Sequence, residues 1–103
     1  MTTTTIPAAE IVALTAHITA AYLNITSGKT GTWVGLSRIR RAIEAKLGRT
    51  IDQKTWTEAI RRMNRQQNIR IVPESNQKVI TDELRYGAVF FGGQWKHYIA
   101  VIG

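Results

Sequence analysis

The chain has no cysteine, two prolines and seven acidic residues in 103 positions. Without cysteine it can form neither disulfides nor thiolate metal sites, and nothing marks an oxidising compartment. His17 and His97 are the only histidines, with no second ligand nearby at metal spacing. Each is therefore expected to be an ordinary helix-surface or strand residue, and no metal or cofactor is expected. The longest apolar stretches fall short of the ~20 residues a membrane span needs. Met1–Thr5 lacks the basic and apolar regions of a secretory signal. A cytoplasmic protein is expected, in which the sequon Asn24-Ile25-Thr26 is incidental. Gly28-Lys29-Thr30 imitates the end of a phosphate-binding loop. The leading glycine of that motif would have to be residue 23, which is Leu23, and a helix rather than a strand precedes it. Asp82-Glu83 reads as a helix-capping pair. No persuasive Ser/His/acid set exists, so no enzyme is expected.

Positive charge is what the chain has in excess, a net +7. Eleven of the fourteen Lys/Arg residues lie between Lys29 and Arg70, against Glu44, Asp52 and Glu58 alone. A basic block set in helical periodicity is the electrostatic footprint of a nucleic-acid reader.

Periodicity divides this one domain, residues 1–103, into elements. Thr2–Thr5 reads as a disordered terminus. Thr5 and Pro7 open a helix whose apolar stripe is Ile11, Leu14, Ile18, Ala21/Tyr22 and Ile25. Thr32-Trp33-Val34 forms one short strand. Ser37 suits an N-cap for a helix that buries Ile39, Ala42/Ile43 and Leu47 and stops at Gly48. Thr50 or Asp52 caps the next helix, where Trp56, Ala59, Ile60 and Met63 follow i, i+3, i+4, i+7. Ile69–Ile71 and Lys78–Ile80, joined through Glu74–Gln77, suit a β-hairpin. Thr81-Asp82-Glu83 begins a short helix that Gly92-Gly93 ends. His97–Ile102 is a last strand, apolar enough to be covered on both faces.

This order resembles the winged helix-turn-helix superfamily over about residues 8–80, carried by Ser37–Leu47, Gly48–Ile51, Asp52–Gln66 and the Ile69–Ile80 hairpin. The resemblance implies an α+β fold: a three-helix core, a β-hairpin wing, and residues 81–103 as a C-terminal extension with a short helix and strand. It also implies that Asp52–Gln66 enters the DNA major groove. Gln53, Lys54, Thr57 and Arg61 are then the base-reading candidates, since Arg pairs with guanine and Gln with adenine. Arg38, Arg40 and Arg41 near a helix N-terminus, with Arg62 and Arg65, suit phosphates. Arg70 and Lys78 are the phosphate candidates of the wing, although Glu74 opposes them.

Trp33, Trp56 and Tyr22 are expected in the core. Phe90, Phe91, Trp95 and Tyr98 either cover the wing sheet or form a homodimer contact. The expectation is a sequence-selective double-stranded DNA-binding protein, a transcriptional regulator or an accessory factor of a phage or mobile element. The alternative is an interaction module that docks an acidic host or complex partner.

Overall fold

The apolar stripes legible in the sequence converge on one core in the computed structural model, which describes residues 8–102. The expected disordered terminus and the Thr5/Pro7 helix start lie outside those residues. The protein is α+β, with α1 (Ala8–Ile25), β1 (Val34–Gly35), α2 (Leu36–Leu47), α3 (Gln53–Asn64), β2 (Ile69–Val72), a 3-10 turn (Gln77–Val79), α4 (Asp82–Gly87), β3 (Val89–Phe91), β4 (Gln94–Lys96) and β5 (Tyr98–Val101). Leu14, Ile18 and Tyr22 of α1 meet Leu36, Ile39 and Ile43 of α2 and Trp56, Ala59, Ile60 and Met63 of α3 in this core.

By length and composition α1 could cross a membrane, with a mean hydropathy of 1.3 over 18 residues. That corrects the expectation that no apolar stretch suffices. Its Leu14, Ile18 and Tyr22 face is nonetheless packed against α2 and α3, as in a core helix.

Caps explain where the helices begin and end. Asp52 is the N-cap of α3, its Oδ2 accepting from the backbone N–H groups of Lys54 (3.1 Å) and Thr55 (3.3 Å). Thr81 caps α4 through Leu84 N–H at 3.1 Å. Gly48 closes α2 at φ 70°, a conformation that favours glycine. The expected Ser37 cap is corrected. Helix α2 starts at Leu36, whose N–H is satisfied by the His97 carbonyl at 2.9 Å, and Ser37 is buried within the first turn.

The expected hairpin is also corrected. Lys78 and Val79 lie in the 3-10 turn, and β2 pairs with β5 rather than with residues 78–80. The sheet is antiparallel in the order β1-β5-β2. Ile99 sits between Val34 and Ile71 in register, giving a row of three buried apolar side chains. The apolar run after His97 is thus the central strand, where both edges and both faces need cover.

Residues 73–97 form a long excursion between β2 and β5. It carries the 3-10 turn, α4 and a separate β3–β4 hairpin turning at Gly92-Gly93, so α4 ends at Gly87 rather than at those glycines. Helix α4 packs on α2, and β3 packs on α3. Tyr22 and Trp56 are fully buried, but Trp33 is 49% exposed, a further correction. The strand starts only at Val34, which takes the inward position that Trp33 would need. Phe91 packs against the core, whereas Phe90 and Trp95, paired across the hairpin, stay about half exposed.

Contact between α4 and α2 is so close that a Cβ on Gly87 would lie 2.0 Å from the Ser37 backbone nitrogen. Gly87→Ala should therefore destabilise the fold by about 3 kcal/mol or more, read as a lowered urea midpoint at unchanged slope.

Candidate nucleic-acid interface

Helix α3 buries Thr55, Trp56, Ala59, Ile60 and Met63. At about 100° per residue the opposite face must present Lys54, Glu58, Arg61 and Arg65, and all four are exposed. Glu58 Oε1 accepts from Arg61 Nη1 at 3.1 Å, with both side chains about half exposed. A surface pair of this kind contributes little and is readily exchanged. Among the described residues Lys54, Arg62 and Arg65 have no ion-pair partner, and neither do Arg38 on α2 and Lys78 in the 3-10 turn. Arg70 is exposed, but its Nη1 donates to the carbonyls of Gln67 (2.6 Å) and Ile69 (3.1 Å), which ties it to the α3–β2 turn.

Three expected contact residues, Arg40, Arg41 and Gln53, do not present themselves as the sequence suggested. Arg40 is 4% exposed and so cannot reach a phosphate. Its guanidinium donates to Glu44 Oε2 (3.4 Å), Gln53 Oε1 (2.7 Å), the Tyr86 carbonyl (2.7 Å) and the Ile51 carbonyl. It also lies over the rings of Tyr86 (4.3 Å) and Trp56 (5.9 Å). The sequence signal was there. Arg40 stands at i, i+3 and i+7 with Ile43 and Leu47, inside the apolar stripe of α2 rather than opposite it.

Arg41 is exposed but engaged. It donates to both carboxylate oxygens of Glu83, at 2.9 and 3.1 Å, and sits 3.7 Å over the Tyr86 ring. Hydrogen bonding to Arg41 holds the Glu83 carboxyl below its ordinary value. Gln53 is occupied as well. Its Oε1 accepts from Arg40, while its Nε2 donates to Thr57 Oγ1 (3.2 Å) and the Ala88 carbonyl (3.3 Å). Thr57, its acceptor, is half-buried beside it. Gln53 has both amide protons committed, whereas the Thr57 hydroxyl proton has no acceptor among the described residues. The structure thus brings Lys54, Arg61 and Arg65 to one exposed face and ties Arg40, Arg41 and Gln53 to the excursion.

Glu44 and Tyr86 complete the Arg40 cluster. The Tyr86 hydroxyl lies 2.6 Å from each Glu44 oxygen, and Ile51 N–H donates to Oε2 at 2.9 Å. Burial pushes the Glu44 carboxyl up. The hydrogen bonds from Tyr86 and Ile51 and the Arg40 charge outweigh it, so the carboxyl lies below its ordinary 4.5. The same bond raises the Tyr86 hydroxyl above its usual value. No group of three or more potential metal ligands exists among the described residues.

Comparison with known proteins finds no matching family model, curated protein or solved structure.

Two measurements check the Arg40 cluster. Arg40→Ala should cost about 3–5 kcal/mol in urea unfolding because it leaves the part-buried Glu44 without its cation and the Ile51 and Tyr86 carbonyls without their donor, whereas Arg38→Ala should stay within about 0.5 kcal/mol. A carboxyl depressed on folding adds stability above its unfolded value, and that stability is lost as pH falls through the folded value. Glu44→Gln should therefore lower stability at pH 7 and flatten its decline below pH 4.5.

Proposed function

We propose that this chain binds double-stranded DNA as a winged helix-turn-helix module whose α3 enters the major groove. The observation that carries the reading is the outward face of α3, where Lys54, Arg61 and Arg65 stand exposed with Glu58 as the single carboxylate. The antiparallel β1-β5-β2 sheet behind the helices supports it, with residues 73–97 taking the place of a simple wing.

Roles are assigned by geometry and donor chemistry. Lys54 and Arg61, on the outer face of α3, are the base readers. Arg65 at the C-cap of α3, Arg62 at its flank and exposed Arg38 at the start of α2 hold phosphates, and so fix the register. Arg40, Arg41 and Gln53, engaged within the molecule, have no part in contact. Regulation of transcription, or service to a phage or mobile element, in the cytoplasm, belongs to this reading.

A second reading, docking of an acidic protein on the same face, is favoured by one observation. Two of the three arginines expected to hold phosphate on α2, Arg40 and Arg41, are engaged within the molecule. Competition separates the two readings: duplex DNA bound through α3 should be displaced by unlabelled duplex and resist an acidic polypeptide such as polyglutamate.

With the three assigned phosphates neutralised, affinity for a labelled duplex should fall roughly 40-fold between 50 and 200 mM salt. Fluorescence anisotropy at the two salts measures this, and no binding at 50 mM would refute the reading. Arg61→Ala should relax sequence preference, Arg65→Ala should weaken all duplexes alike, and Arg41→Ala should change neither.

A further inference from the structure

The excursion borders a half-open cavity of about 720 Å³ beside the β3–β4 hairpin, a size typical of small-molecule sites. Pro73, Ile80, Phe90 and Trp95 supply its apolar lining. The Phe90 and Trp95 rings meet edge to face, with centroids 5.4 Å apart and an interplanar angle of 68°. Both are more than half exposed, at 52% and 53%, so two large apolar surfaces stand open beside a formed cavity.

The polar lining is mixed, with Glu74, Ser75, Gln77 and Gln94 beside two donors, His97 and Arg85, that have capacity to spare. His97 is 4% exposed and lines the cavity. Its Nδ1 accepts from Glu74 N–H at 2.9 Å, which in a neutral ring puts the proton on Nε2. That Nε2–H has no acceptor among the described residues. No fully buried side-chain nitrogen or oxygen lacks a partner, so Nε2 reaches accessible space, and the cavity is the space His97 lines. Arg85, at the edge, commits Nη1 to Asp82 at 2.9 Å and keeps the rest of its fork free. Glu74 is the only carboxylate in the lining, and both its oxygens are engaged. Oε1 accepts from Asn76 N–H (3.0 Å) and Oε2 from the Tyr98 hydroxyl (2.6 Å).

The geometry points to a binding site for a small planar aromatic carboxylate, its rings against Phe90 and Trp95 and its two oxygens on His97 Nε2–H and the Arg85 fork. Apolar walls supply most of the contact, and two donors fix the orientation, the usual division of labour in such sites. A carboxylate matches the planar fork of arginine better than a single acceptor does.

The test needs no DNA, so its outcome is independent of the duplex-binding reading. The full chain is titrated calorimetrically with 2-naphthoate, with its uncharged analogue 2-naphthamide and with adenosine monophosphate, while amide and indole NMR shifts report the site. Naphthoate should bind about tenfold tighter than the amide, with shifts confined to residues 73–97. Arg85→Gln, at an exposed position, should abolish that preference, and Trp95→Leu should weaken both ligands. His97→Gln should weaken naphthoate; if that variant does not fold, Arg85→Gln carries the same test. No naphthoate binding at millimolar concentration, equal affinity for acid and amide, or tighter binding of the nucleotide would each overturn the assignment.

Discussion

One buried cation organises this structure. Arg40 joins its own helix to the α2–α3 turn through Ile51, to α3 through Gln53 and Trp56, and to the excursion through the Tyr86 carbonyl and ring. Burying a guanidinium is costly unless charge and hydrogen-bond geometry are both satisfied, and here Glu44 and three further acceptors meet it. Lysine, with three donors on a flexible stem, could not span that set of acceptors while stacking between two aromatic rings. The excursion is thereby fixed to the helices rather than left as a free loop. Trp56 Nε1 adds to this by donating to the Gly87 carbonyl at 2.8 Å, beside the glycine that lets α4 approach α2.

That anchoring decides which cations remain available. Helix α4 brings Glu83 against Arg41, so the cations of α2 nearest the excursion are satisfied within the molecule. On the outer face of α3 the one comparable pair is Arg61 with Glu58, a single hydrogen bond within one helix. Lys54, Arg61 and Arg65 follow one another at helical spacing, with Glu58 as their only local counter-charge. The excess positive charge visible in the sequence is thus sorted by structure into a structural set beneath α4 and an exposed set on α3.

The sequence revealed the helices well and the strand partners badly, for different physical reasons. A helix is encoded locally: Trp56, Ala59, Ile60 and Met63 declare their face by spacing, and Asp52, Gly48 and Thr81 mark ends by chemistry needing only a few neighbours. Strand pairing is not local. Ile69–Val72 pairs with Tyr98–Val101 across the whole excursion, and period-two alternation names no partner. Lys78-Val79-Ile80 looked extended because two of its residues are β-branched. After Pro73, however, the chain leaves the sheet, and Asn76 caps a 3-10 turn through Lys78 N–H at 3.1 Å instead. The same blindness hid the candidate contacts. Gln53 lies on the expected helix, but its amide is consumed by Arg40 and Ala88, partners that only the tertiary fold supplies. Nothing in the sequence shows that His97 and Trp95 line one cavity with Pro73, since the three meet only when the excursion folds back on itself.

A compact chain gains stability by bringing unlike charges together, and like charges held on one rigid face work against it. Here the fold shows that it can neutralise arginines when they lie near α4, through Glu83 and Glu44. It leaves Lys54, Arg62 and Arg65 without a carboxylate partner among the described residues, on a helix anchored by five buried side chains. Rotating α3 to shield these cations would bring Trp56 and Met63 to solvent, which costs far more than the repulsion does. The exposed charge is consequently locked in position by the core, and an anionic partner of repeating charge would relieve it without any rearrangement of the helices.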